Sequence, residues 1–209
     1  MTRSTTVGKK TPGSHRITRI GLGSLGAVAV LVVSSGHVLG TWAALLAALL
    51  FAAVLVVHLS HMRGVDRPLA VWHAGHVLMA AGMVLMNLPW LTIPSLLAQG
   101  VFLACALAGL VLAVSGRMRG HGLITLAPMG VIDLLGMAFM YVVPTPGFAW
   151  LTVVFAAWFL AQAGWWARGR GPTAAQHGAA VRVSLAVMGL GMASMLVAMQ
   201  FLMSPMPGM

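Results

Sequence analysis

Hydrophobic positions in this chain fall into long continuous runs and do not alternate with polar residues. Each run is close to the roughly 20 residues that a helix needs to cross a bilayer. The two-residue alternation that marks a transmembrane strand is absent from the sequence. Proline and glycine occupy most of the gaps between the runs. The pattern predicts seven membrane-spanning helices, at residues 20–36, 41–62, 69–87, 94–115, 122–143, 148–167 and 181–203.

The first run differs from the others, because it is short, rich in glycine and preceded by basic residues. These are also features of a secretory signal peptide. However, Ser34-Ser35-Gly36 is a poor cleavage site and the second run follows almost at once, which favours a retained helix. The predicted organisation is a basic N-terminal tail (1–19), a seven-span transmembrane domain (20–203) and a short outer tail (204–209).

Composition supports the membrane assignment. Hydrophobic residues make up 60% of the 209 residues, and only 7% are charged, whereas about 25% of the residues of a soluble domain are charged. A chain with so few charges cannot cover a water-facing surface, which excludes the soluble globular, disordered and coiled-coil classes. The predicted fold is therefore an all-α polytopic membrane helical bundle.

The net charge of +10 would suggest a nucleic-acid partner in a soluble protein. Here no nucleic-acid-binding motif accompanies the basic residues. If the N-terminus is cytoplasmic, all 12 Lys and Arg residues fall on the inner side, within 1–19, 63–68, 116–121 and 168–182. The positive-inside rule thus predicts an inner N-terminus and an outer C-terminus. The excess of Arg over Lys, 10 against 2, agrees with a bacterial source, so the expected location is a bacterial plasma membrane. The basic residues are expected to interact with the lipid bilayer, and no nucleic-acid partner is expected.

Methionine carries the clearest internal repeat. The pattern Gly-Met-x-x-Met occurs at residues 82–86, 136–140 and 191–195, in three predicted spans that all run from inside to outside. The three copies should therefore lie at a similar depth. Thioethers are soft, uncharged ligands that select Cu(I), although methionine is also a flexible filler of apolar cores. With the residue one turn before the first copy, the candidate ligands are Met79, Met83, Met86, Met137, Met140, Met192 and Met195.

Histidine pairs flank the turn between the second and third predicted spans. His58 and His61 close one span, and His73 and His76 open the next. A spacing of three keeps each pair on one helical face, and the turn brings both pairs to the cytoplasmic end of the hairpin. Four imidazoles in that arrangement suit copper, zinc, iron or nickel. The alternative is that each ring is an interfacial hydrogen-bonding group.

Two further residues lie within the apolar runs. Asp133 is the only acid inside a predicted span, and such a residue marks an ion path, a proton site or a buried hydrogen-bonding partner. Cys105 is the only cysteine and is predicted to be a small buried hydrophobe. No Ser-His-Asp or paired-carboxylate arrangement is present, so an enzymatic role is not favoured.

The segment 72–86, with its two histidines followed by a row of methionines, resembles an uncharacterised family of actinobacterial multi-pass membrane proteins, domain of unknown function 5134. The resemblance implies a membrane location and assigns no activity. In chemistry alone, the segment is similar to copper transporters that line a pore with methionines and place histidines at the cytosolic end.

Three functions stay open at this point. The leading hypothesis is a protein that binds copper as Cu(I) and transports it or delivers it, with a copper donor or acceptor protein or a second copy of the chain as partner. The alternative is a redox subunit that binds haem b, with one axial histidine from each helix of the His58–His76 hairpin. The third is a metal-free scaffold in which methionine only fills space.

Overall fold

The computed structural model describes residues 41–63, 65–88, 90–91, 93–115, 123–143, 147–171 and 178–202. Every regular element in these ranges is helical, which agrees with the predicted all-α class. The predicted first span and both predicted tails, 1–19 and 204–209, lie outside the described residues. The helices are α1 (Thr41–His61), α2 (Arg67–Met86), α3 (Ser95–Val114), α4 (Leu123–Met140), α5 (Ala149–Ala167) and α6 (Ala179–Val197), and α6 continues into a π-helical turn, Ala198–Leu202.

Five of these helices are long and apolar enough to cross a membrane. The apolar part of α4 is shorter, Leu126–Met140, and α4 contains Pro128. The molecule is thus a multi-helix protein of the membrane type. A total of seven spans and an inner N-terminus remain predictions.

Proline and glycine set several helix ends. Pro68 lies in the first turn of α2, and Pro94 is the N-cap of α3, positions where a missing backbone N–H removes no helical hydrogen bond. At the end of α5, Gly169 adopts a φ of +66°. The N–H groups of Gly169 and Arg170 donate to the carbonyl oxygens of Trp166 and Trp165, at 3.0 and 2.9 Å, which closes the helix with a Schellman motif.

The helices pair as three consecutive hairpins, α1–α2, α3–α4 and α5–α6, within which the interhelical contacts are most extensive. Their turns fall at 62–66, 115–122 and 168–178, on the side that the cation count predicts to be cytoplasmic. Contacts between α2 and α4 and between α1 and α6 join one hairpin to another. Each Gly-Met-x-x-Met copy lies on the second helix of its hairpin.

The glycines of the three repeats accept aromatic rings from neighbouring hairpins. A β-carbon on Gly82 would lie only 2.7 Å from Cζ of Phe102, closer than carbon atoms approach one another. Each first helix supplies one phenylalanine, and each second helix supplies one glycine. The contacting pairs are Gly82 with Phe102, Gly136 with Phe159, and Gly191 with Phe51. Since the second hairpin contacts the first, the third contacts the second, and the first contacts the third, the three hairpins form a closed ring.

The outward surface is apolar, as expected of helices in lipid. On α3 only Ala98, Phe102 and Ala106 are buried, while Leu96 and Leu107 are among the large side chains that it exposes. Of the five span-length helices, α6 is the most heavily buried. Buried methionines of the three repeats lie on α2, α4 and α6.

Candidate functional site

The structure places the repeated methionines in the interior. Met83, Met137 and Met140 have no exposed surface, whereas Met86 is half-buried. All of them belong to, or pack against, a single apolar cluster that also contains the three phenylalanines of the ring. The predicted methionine ligands buried in this cluster are Met79, Met83, Met137, Met140, Met192 and Met195.

Two contacts connect the methionine repeats of different hairpins. The Cε atom of Met137 on α4 would be 2.9 Å from a β-carbon on Gly82 of α2, so this side chain lies over the first repeat. At the other end of the repeats, Asn87 donates from Nδ2 to the Met83 carbonyl oxygen at 2.7 Å and to the Met195 sulfur at 3.7 Å. Asn87 thus joins the end of α2 to the second methionine of the α6 repeat.

The four predicted histidines lie together at the turn of the α1–α2 hairpin. His58, His73 and His76 are buried, and His61 is partly exposed. The His58 and His76 rings stack with centroids 5.0 Å apart and planes 17° apart, and the His61 and His73 centroids are 6.1 Å apart. Three of the four rings are therefore interior groups rather than groups at the membrane surface.

A hydrogen-bond chain through His58 connects three helices. The Ser184 hydroxyl on α6 donates to the Val181 carbonyl oxygen at 2.8 Å, so its oxygen accepts from Nε2 of His58 at 3.1 Å. In a neutral His58 ring, Nδ1 is then the acceptor, and Nδ1–H of His73 donates to it at 3.0 Å. The tautomers follow from the partners in this chain. The chain fixes α1 and α2 against α6.

The other two histidines are oriented by their own helices. Nδ1 of His76 lies 2.9 Å from the Trp72 carbonyl oxygen, and Nδ1 of His61 lies 2.8 Å from that of Val57. A carbonyl oxygen only accepts, so in each neutral ring Nδ1 carries the proton and Nε2 carries the lone pair. Metal-binding histidines are commonly held in this tautomer by such a bond.

The described part of the chain holds no group of three or more His, Cys, Asp or Glu residues arranged to bind a metal ion. At the hairpin, the Nδ1 atoms of His58 and His73 are bonded directly to each other. A metal held by all four imidazoles would require that hydrogen bond to open. Thioether sulfur is a separate kind of ligand, which the methionine cluster supplies.

Asp133 joins α4 to α5. Its buried carboxyl oxygen Oδ1 accepts hydrogen bonds from Nε1 of Trp158, at 2.9 Å, and from Nε2 of Gln162. Both donors come from α5. Of the interpretations open for this acid, that of a buried hydrogen-bonding partner describes the observed contacts.

Sequence reasoning missed several residues of these sites. Trp72 packs against His76 with ring centroids 4.2 Å apart and against Trp166 at 6.1 Å. Ser184 accepts a hydrogen bond from His58, and Gln162 donates one to Asp133. The available signal was their polarity within apolar runs, where a buried polar side chain needs a partner.

A comparison with models of protein families gives a match over the second to sixth helices. A family model described as "Domain of unknown function (DUF5134)" matches residues 68–199, more than half of the chain. The matched region includes His73, His76 and all three methionine repeats, whereas His58 and His61 precede it. No curated protein and no solved structure matches the chain.

Proposed function

This chain belongs to the DUF5134 family, and we propose that it is a membrane protein that binds copper as Cu(I) and transports it or delivers it to a partner protein. The methionine cluster is the intramembrane site, and the histidines at the α1–α2 turn are a second site at the cytoplasmic end.

The observation that carries this proposal is the repeat of one thioether pair on each of three hairpins arranged in a ring. The glycines of the three copies make the same kind of contact with a phenylalanine of another hairpin. The methionine that follows each glycine is thereby held at a comparable position, and Met83, Met137 and Met192 are all buried in one cluster. Three neutral sulfur atoms can hold Cu(I) without burying a fixed charge.

The histidines extend the same row toward the cytoplasm. His76 lies one turn before Met79 on α2, and its ring is held in the tautomer that leaves the lone pair on Nε2. Imidazole accepts copper as well as harder metals, whereas thioethers favour Cu(I). The row on α2 therefore changes from imidazole near the turn to thioether in the interior, a suitable order of ligands for passing Cu(I) along the helix.

A triple substitution tests the methionine site. Leucine resembles methionine in volume, so Met83→Leu, Met137→Leu and Met192→Leu together remove three sulfur atoms, at under about 1.5 kcal/mol of packing energy for each swap. We expect the triple variant to fold and to lose Cu(I) binding, measured by competition with a Cu(I) chelator under reducing conditions.

The matched control is Met129→Leu, which changes a buried methionine of α4 outside the repeats and should leave Cu(I) affinity unchanged. A folded triple variant that binds Cu(I) like the wild type would refute the methionine site. The metal-free scaffold hypothesis would then lead.

A second candidate function is that of a haem-b redox subunit. The observation in its favour is that His61 and His76, on facing helices, both hold Nδ1–H on a backbone carbonyl, as axial ligands commonly do. Purified protein would then absorb in the Soret region, at about 410–430 nm, and His76→Ala would abolish the band. A preparation without that band, from haem-replete cells, would exclude this candidate.

A further inference from the structure

A half-open cavity of about 370 Å³ lies between α2, α3 and α4, away from the methionine repeats. Seven of its fifteen lining residues are Gly, Ala or Cys, among them Gly75 of α2, Gly109 of α3 and Gly130 of α4. A β-carbon on Gly75 would meet nothing within 4 Å. The space is therefore a consequence of small side chains on all three helices.

The volume is sufficient for a ligand. An apolar cavity of about 150 Å³ already binds benzene, and pockets for small molecules begin at about 300 Å³. An apolar cavity of this size at membrane depth is accessible to lipid rather than to water.

The chemistry of the walls selects a hydrocarbon. The lining residues with polar groups beyond a thiol or thioether are Trp72 and His76, and both are engaged with the protein. Nδ1 of His76 bonds the Trp72 carbonyl oxygen, and the two rings pack with centroids 4.2 Å apart. A polar headgroup buried in this cavity would lose its hydrogen bonds to water without adequate replacement, which is unfavourable.

The position of the cavity fits the same ligand. Gly75 lies about 12 Å along the axis of α2 from Arg67, the cation predicted at the cytoplasmic end. The hydrocarbon core of a bilayer is about 30 Å thick, so this level is occupied by lipid chains. Next to the cavity, α3 exposes Leu103, Leu107 and Leu110, an apolar surface of the kind that contacts such chains.

We propose that the cavity between α2, α3 and α4 holds one hydrocarbon chain of a membrane phospholipid. This proposal does not rest on copper binding, although His76 and Met79 line the cavity and are also candidate copper ligands. Because Trp72 and His76 line the cavity and also contact the buried histidines, the bound chain supports the packing of the α1–α2 turn.

Cys105 allows the occupancy of the cavity to be measured. It is the only cysteine of the chain, it lines the cavity, and it is half-buried. N-ethylmaleimide should modify it in lipid-free detergent. Dioleoyl phosphatidylglycerol at about ten times its Kd should slow the modification about tenfold, because only the unoccupied fraction reacts. This measurement uses the full wild-type chain.

Gly75→Leu provides an independent test by filling the cavity. The added side chain enters open space, so we expect the variant to retain one phospholipid fewer than the wild type in native mass spectrometry. The matched control is Gly100→Leu on the exposed surface of α3, where a β-carbon also meets nothing within 4 Å. The control should retain the same number of phospholipids as the wild type.

Three results would overturn the proposal. The first is equal phospholipid retention by the wild type and a folded Gly75→Leu variant. The second is a rate of Cys105 modification that does not change when phospholipid is added. If Cys105 is already protected in lipid-free detergent, this result would indicate that protein fills the space. The third is protection by the fully substituted quinone duroquinone, which has no free ring carbon for a thiol to attack, but not by phospholipid; this result would assign the cavity to a ring-bearing ligand.

Discussion

Glycine and methionine have separate roles in the repeat. A glycine inside a helix destabilises it by about 0.5–1 kcal/mol relative to alanine. In this protein the missing β-carbon admits a phenylalanine ring, as the contact of Gly191 with Phe51 shows. The glycines thus explain how the hairpins pack, and the methionines beside them are the part of the motif available for metal chemistry.

The fit between glycine and ring predicts the effect of adding one methyl group. Gly191→Ala places a β-carbon in steric conflict with Cζ of Phe51, and such overpacking typically costs about 1–3 kcal/mol. We expect a lower thermal unfolding midpoint in detergent. Adding Phe51→Leu to the same chain should recover part of the loss, because the two sites are in direct contact and their effects are not additive.

The control for this prediction is Gly100→Ala on α3. A β-carbon there meets nothing within 4 Å, so alanine should leave the midpoint unchanged or raise it slightly through its better helix propensity. A Gly191→Ala variant as stable as Gly100→Ala would show that the ring contact does not constrain the packing.

At the scale of residues, the Gly-Met-x-x-Met repeat could be predicted from the sequence, but the aromatic residues that contact its glycines could not. The Gly-Met-x-x-Met pattern is visible because three fixed residues recur together within a five-residue window. The rings that fill the glycines, such as Phe102, are single aromatic residues in runs that are apolar throughout, and no local pattern distinguishes them. Their role arises from contact between hairpins that are distant in sequence.

At the scale of elements, helix limits and the α1–α2 hairpin were predictable, and the contacts between hairpins were not. The run 41–62 became Thr41–His61, and 148–167 became Ala149–Ala167, because turn residues such as Pro94 and Gly169 end the apolar runs. In a membrane protein a helix is apolar around its whole circumference, so the sequence pattern does not reveal which face packs inward. The buried side of α2 was indicated only by its histidines and methionines.

The α1–α2 hairpin is the element in which a metal prediction can be made specific. If the histidines at the turn share one metal ion, His73→Ala and His76→Ala together leave too few imidazoles to hold it. We expect the double variant to lose most Zn²⁺ or copper binding at this site, measured by metal analysis of the purified protein after dialysis.

The hydrogen bonds at the turn suggest a control for that experiment. Ser184→Ala removes the partner of Nε2 of His58 but no imidazole, so a loss caused only by loosened packing should appear in this variant also. Metal stoichiometry and affinity that are unchanged in the double histidine variant would show that the rings serve the fold alone.

At the scale of the whole molecule, the ring of hairpins and the distribution of charge agree. The three hairpin turns lie at 62–66, 115–122 and 168–178, and the basic residues outside the N-terminal tail fall within or next to them. The connections on the opposite side, 87–94 and 141–148, contain no Lys or Arg. Three equivalent hairpins with basic turns would all present those turns to the cytoplasm.

Reporter fusions can test this orientation. Alkaline phosphatase folds only outside the cytoplasm, so we expect a fusion after Met209 to be active and a fusion within the turn 62–66 to be inactive. A fluorescent protein that folds only in the cytoplasm should give the reverse result at both sites. A cytoplasmic signal at both sites would mean that α6 does not cross the membrane, while the orientation of the hairpin turns stays as predicted. An active phosphatase at 62–66 would contradict the predicted orientation itself. The paired fusions therefore test separately on which side the basic turns lie and whether the last helix crosses the membrane. The charge distribution predicts an inner turn together with an outer C-terminus.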